Sequence, residues 1–87
     1  MRSNKVLRVL DEFVEHYLYD FEVPTDLKFS IPKQMSEPVY CLKIYNLDGE
    51  VTILYNRECY YVLQNNNSEI LKNLNGFMKE AKIRRLN

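Results

Sequence analysis

His16, Cys41 and Cys59 are the only histidine and cysteines in the chain, so nucleophilic, general-base or metal chemistry would have to be built around them. His16 stands at helical spacing from Glu12 and Asp20. An imidazole between carboxylates is suited to proton transfer or metal ligation. A metal site would need further ligands, and there is no second histidine, no cysteine near His16 in sequence and no metal-site spacing between the cysteines. Either thiol acting as a nucleophile would need His16 brought beside it, although both fall within strand-like segments. With Gly49 and Gly76 as the only glycines, no glycine-rich phosphate loop can form. Nucleophile elbows, Cys-x-x-Cys and His-Glu-x-x-His are also absent. His16 therefore reads as a solvent-facing helix residue with charged neighbours. The chain is expected to be a non-enzyme, with no catalytic residue, metal site or cofactor.

Charge provides a second set of candidates. Twelve basic residues balance twelve acidic ones, so no overall field draws the chain to nucleic acid or an anionic membrane. The charges are nevertheless segregated. Asp11, Glu12, Glu15, Asp20, Glu22 and Asp26 lie in a stretch with no lysine or arginine, whereas Lys72, Lys79, Lys82, Arg84 and Arg85 are opposed only by Glu80. Both groups have an ordinary explanation as solvated helix faces, and cations near a helix C-terminus also complement its dipole. In the functional alternative, the acidic stripe occupies a basic cleft on a target and the basic end contacts phosphates.

The elements that must position these residues follow from periodicity. A chain of 87 residues has room for one core, giving a single domain over 1–87. Residues 4–21 predict an amphipathic helix, with Val6, Val9, Leu10, Phe13, Tyr17 and Phe21 along its apolar stripe, Leu7, Val14 and Leu18 widening it, Ser3 or Asn4 as its cap and Pro24 as its limit. Leu27, Phe29 and Ile31 alternate with polar residues and predict a short strand over 26–31, followed by a loop from Pro32 to Pro38. Residues 39–46, 51–56 and 59–64 predict a meander turning at Asp48-Gly49 and Arg57-Glu58. Asn67 or Ser68 caps a last helix that buries Ile70, Leu71, Leu74, Phe77, Met78 and Ala81 and frays near residue 83. The expected fold class is α+β: an antiparallel meander of three to four strands packed with an N-terminal and a C-terminal helix, in the order α-β-β-β-β-α. No targeting segment or apolar run of spanning length is present, which points to a cytoplasmic protein with no membrane partner.

Two-residue turns at 48–49 and 57–58 pair Ile44 with Ile53 and Leu42 with Tyr55. They place Leu42, Ile44, Val51, Ile53, Tyr55, Tyr60 and Val62 on one core face. The other face receives Cys41, Lys43, Tyr45, Thr52, Leu54, Cys59, Tyr61 and Leu63. Two accounts of this apolar second face compete. Either the 26–31 strand or a helix covers it, or Tyr45, Leu54 and Tyr61 form an exposed partner-binding patch. Both cysteines would lie opposite Asn56, roughly 9–10 Å apart across two strand spacings. That distance exceeds disulfide reach and predicts two free thiols.

The run Ile44-Tyr45-Asn46-Leu47-Asp48-Gly49-Glu50-Val51, then Tyr60-Tyr61-Val62-Leu63, then Asn67-Ser68-Glu69-Ile70-Leu71, resembles the end of SUKH-type immunity domains. In those domains a strand, a short hairpin, a hydrophobic strand and a capped final helix recur. The resemblance covers somewhat under half of the chain and implies a non-catalytic protein that binds and blocks a toxin.

The leading expectation is a small protein-binding module, an inhibitor or immunity-like factor of a bacterial or phage conflict system, acting by steric occlusion of a target protein. Its contacts would be Tyr45, Leu54 and Tyr61 with Asp11, Glu12 and Glu15. One alternative is a nucleic-acid-binding accessory domain using Lys72, Lys79, Lys82, Arg84 and Arg85, in an element order similar to the α-β-β-β-α of double-stranded RNA-binding domains. Another is a homodimer assembled by pairing exposed sheet faces.

Overall fold

The computed structural model describes residues 4–87. Its elements are α1 (Lys5–Tyr17), β1 (Asp20–Glu22), β2 (Tyr40–Asn46), β3 (Gly49–Tyr55), β4 (Cys59–Asn65), α2 (Ser68–Glu80) and β5 (Arg84–Arg85). The strands form one mixed sheet in chain order. All neighbours are antiparallel except β4 and β5, which run parallel. This is the expected α+β arrangement of a meander with a helix at either end, extended by a short strand at each sheet edge. No helix among the described residues is long and apolar enough to cross a membrane.

Both helices pack on the same sheet face. Val6, Val9, Leu10, Phe13 and Val14 of α1 and Ile70, Leu74 and Met78 of α2 enclose a core with Leu42, Ile44, Val51, Ile53, Tyr55 and Tyr60. The expected core face is recovered in full, with Val62 packed partly buried against it. Asn4 caps α1 by accepting from the Leu7 N–H at 3.1 Å, and Asn67 caps α2 by accepting from the Ile70 N–H at 3.1 Å. Ser3, the other candidate cap for α1, lies outside the described residues.

Four expectations need correction. First, α1 stops at Tyr17 rather than continuing to 21. Leu18 takes a left-handed conformation (φ 58°, ψ 37°), with the Tyr19 N–H donating to Val14 O and the Leu18 N–H to Glu15 O. This is the Schellman closure that glycine usually makes. Phe21 is thereby removed from the helical stripe and placed on β1, exposed.

Second, residues 26–31 form no strand. The place beside β2 is taken by β1, which pairs Phe21 with Ile44. The following segment instead drapes over the second sheet face. Leu27, Met35 and Val39 pack on Cys41, Leu54 and Cys59, while Phe29 and Ile31 remain exposed.

Third, the β2–β3 turn is Leu47-Asp48, so Ile44 pairs with Val51 and Leu42 with Ile53. The shift is two residues, and a two-residue shift leaves every side chain on its expected face. Asn46 sets the turn by accepting from the Asp48 N–H at 2.8 Å. Gly49 begins β3 at φ 140°, where a Cβ would sit 2.6 Å from Asn66 O and Oδ1. Cys41 consequently lies opposite Leu54 rather than Asn56, and both thiols are free and buried.

Fourth, α2 closes at Glu80. Lys82 is left-handed (φ 59°), and Ile83 packs into the core ahead of β5.

Candidate functional site

The second sheet face is not an open patch. Leu54 is fully buried under Met35 and its neighbours, which removes it as a partner contact. Tyr61 is half-buried against the same cluster. Tyr45 is half-buried beneath Lys43, whose Nζ stands 5.4 Å from the ring centroid. A dimer made by pairing exposed sheet faces therefore meets a face occupied by the 27–39 segment. Asn56 fastens that cover: its Nδ2 donates to Ser36 O at 3.0 Å, and its Oδ1 accepts from the N–H groups of Glu58 and Cys59.

One exposed apolar surface among the described residues lies at the junction of α1 and β1. Asp11, Val14, Glu15, Leu18, Tyr19 and Phe21 line a groove of about 600 Å³. Leu18 is 87% exposed and Phe21 53% exposed. Helical spacing puts Asp11, Val14, Glu15 and Leu18 along one line of α1, and the left-handed turn then brings Tyr19 and Phe21 alongside. Tyr19 is fixed in place. Its ring stacks on Tyr17 at 5.3 Å and meets Phe13 edge-on at 5.6 Å, while its hydroxyl accepts from Asn73 Nδ2 at 2.9 Å. Asp11 and Glu15 are the groove's only charged lining residues. Of the expected acidic contacts, Glu12 is exposed on α1 but does not line the groove.

On the other face of β1, Glu22 accepts a 2.6 Å hydrogen bond from Lys43 Nζ, which holds the lysine pKa above its ordinary 10.5. This pair ties β1 to β2. Asp20 and Glu22 pair with Tyr45 and Lys43 and so lie on the opposite sheet face from Phe21, outside the groove.

The basic residues divide between two places. Lys79, Lys82, Arg84 and Arg85 line a cavity with Tyr60, Asn75 and Ile83, whereas Lys72 lies by His16, Tyr17, Asn73 and Phe77. His16 makes edge-on contact with Tyr17 at 4.7 Å and approaches Phe77 at 5.9 Å. Among the described residues, no three of the His, Cys, Asp and Glu side chains group closely enough to hold a metal ion. Burial raises the pKa of both Cys41 and Cys59 above the ordinary 9.0, the reverse of what activates a thiol nucleophile. For Cys59, Arg84 and the Asn56 hydrogen bond oppose that rise without reversing it.

Comparison of the chain with protein-family models, curated proteins and solved structures finds no match.

Leu18 and Phe21 are the site residues that sequence reasoning placed in the core instead. The acidic stripe is the one sequence signal that overlaps this groove, at Asp11 and Glu15. The helix end between them carries no glycine or asparagine to announce it.

Proposed function

We propose that this protein is a non-catalytic protein-binding module that occludes a target carrying a basic face, with the α1–β1 groove as its contact surface. The observation that carries this reading is the pairing of exposed Leu18 and Phe21 with a rim of carboxylates only, Asp11 and Glu15. An apolar centre with a charged rim is the anatomy of a transient protein interface, and the one-signed rim supplies steering and partner choice. Asp11 and Glu15, with no lysine or arginine lining the groove, give the partner's complementary sign. The resemblance of the 44–71 region to SUKH-type immunity domains agrees with an inhibitor or immunity-like role in a bacterial or phage conflict system.

The test is affinity capture with three forms of the protein: wild type, Leu18→Ser/Phe21→Ser and Asp11→Lys/Glu15→Lys. A single stoichiometric protein held by wild type, lost with the serine pair and weakened by salt and by charge reversal, is the expected outcome. Retention of that protein by both variants would remove the groove as the contact surface.

A further inference from the structure

We propose a second site, independent of the α1–β1 groove: the cavity between α2 and β5 binds a phosphate monoester. The cavity, about 440 Å³, is lined by Tyr60, Asn75, Lys79, Lys82, Ile83, Arg84 and Arg85. That volume is within the range of small-ligand pockets. No carboxylate lines it.

Strand alternation distributes the cations. Arg85 pairs with Tyr60 and shares its face, toward α2, whereas Arg84 pairs with Cys59 on the opposite face. Arg85 is therefore the β5 cation on the cavity's inner face, and Lys79 and Lys82 line the same cavity from the end of α2 and the turn after it. Arg85 Nε is buried and makes no hydrogen bond. A buried guanidinium donor left unpaired is costly, and an anion oxygen is the acceptor it lacks. Among the described residues the ion pairs belong to Lys43 alone, so none of these three cations forms an ion pair with another described residue.

Donors prevail among the polar side chains of the wall. The Tyr60 hydroxyl donates to Asn75 Oδ1 at 2.9 Å, so the Asn75 acceptor is already engaged while its amide N–H groups remain donors. The floor, Tyr60 and Ile83, is buried and apolar.

Complementing the dipole of α2 does not account for this cluster. The helix ends at Glu80, so Lys82 and Arg85 lie beyond its last turn. The terminal carbonyls of Phe77, Met78 and Lys79 already accept from the N–H groups of Ala81, Ile83 and Lys82. Lys82 also occupies the left-handed position where glycine would be relaxed. A non-glycine residue held there adds a lysine to the cavity lining despite the backbone cost.

The phosphate could belong to a free mononucleotide or to the end of an oligonucleotide, and titration of the whole protein followed by amide chemical shifts separates the two. The probes are inorganic phosphate, adenosine monophosphate, and one short single-stranded oligonucleotide with either a 5′-phosphate or a 5′-hydroxyl. Saturable shifts at Asn75 and 79–85 with a phosphate monoester are expected, at least tenfold weaker in Arg85→Gln and in Lys82→Gly. Lys82→Gly matches the left-handed backbone and keeps the test valid if Arg85→Gln unfolds. Preference for the mononucleotide assigns a small-molecule site. Preference for the 5′-phosphorylated strand over its hydroxyl counterpart assigns a strand end. No shifts at millimolar monoester, shifts with the 5′-hydroxyl strand as strong as with any phosphate monoester, or full binding by Lys82→Gly would overturn the proposal.

Discussion

Leu18→Gly should make the protein more stable, and Leu18→Ala should not. Leu18 holds a left-handed conformation at the end of α1 with its side chain 87% exposed. That conformation costs an L-residue about 1–2 kcal/mol and glycine almost nothing. Glycine gives back roughly 0.5–1 kcal/mol through the greater freedom of its unfolded chain. The small buried fraction of the leucine side chain contributes about 0.3 kcal/mol, from roughly 2 kcal/mol for full burial. Alanine loses that contact and keeps the backbone cost, so comparing glycine with alanine cancels the side-chain contribution and leaves about 0.8 kcal/mol in favour of glycine. Urea unfolding is the assay, with unchanged m-values as the condition for comparison. At a slope of about 1–1.5 kcal/mol/M the two midpoints should differ by roughly 0.5–0.8 M. A glycine variant no more stable than the alanine variant would refute the reasoning about this helix end. If Leu18 is kept for partner contact, the stabilised glycine variant should also bind the partner less well.

Three further outcomes follow from the fold. Gly49→Ala should cost about 2–3 kcal/mol, since a Cβ there meets Asn66 at 2.6 Å on a backbone of positive φ; thermal unfolding reads the loss, and a neutral result would contradict the close approach. Asn67→Asp preserves the cap acceptor for Ile70 but removes the Nδ2 donor that bonds Asn46 Oδ1 at 2.8 Å and Gly49 O at 3.3 Å. It should destabilise by about 1–3 kcal/mol, and a stability gain would show that capping alone matters at that position. Stability should also fall at alkaline pH. Burial raises Cys41, Cys59, Tyr55 and Tyr60 above their ordinary values of 9.0 for the thiols and 10.0 for the phenols, so the folded state holds these protons more tightly than the unfolded chain. Their contribution is complete below about pH 9 and is lost as pH rises through the folded-state values. Urea midpoints at pH 7 and pH 10 should differ in that direction, and an unchanged midpoint would contradict it.

Legibility in the sequence followed the strength of local signals. The alternation in 40–46 and 49–55 determined which side chains face the helices, and that survived a two-residue error in the turn because strand faces repeat every two residues. Asn4 and Asn67 declared their helices, since a side-chain acceptor at the N-cap is a local device. The left-handed ends at Leu18 and Lys82 were opaque, because neither residue type prefers that conformation. A cover over Leu54 by the segment after Asp26 is one of the two accounts the sequence allows, but nothing in it shows that this cover is a loop rather than a strand. The loop cover depends on β1 occupying the place beside β2 and on Asn56 reaching Ser36, a contact 20 residues away in sequence. The acidic stripe pointed to the α1–β1 region without revealing the apolar groove, which exists only because the helix stops at Tyr17.

The central claim is that the α1–β1 groove is the partner surface. Mapping amide chemical shifts of the protein on adding its captured partner tests this most directly. Perturbations concentrated at Asp11, Val14, Glu15, Leu18, Tyr19 and Phe21 are the predicted result. A map centred on Tyr45 and Tyr61, with the α1–β1 junction unmoved, would contradict it.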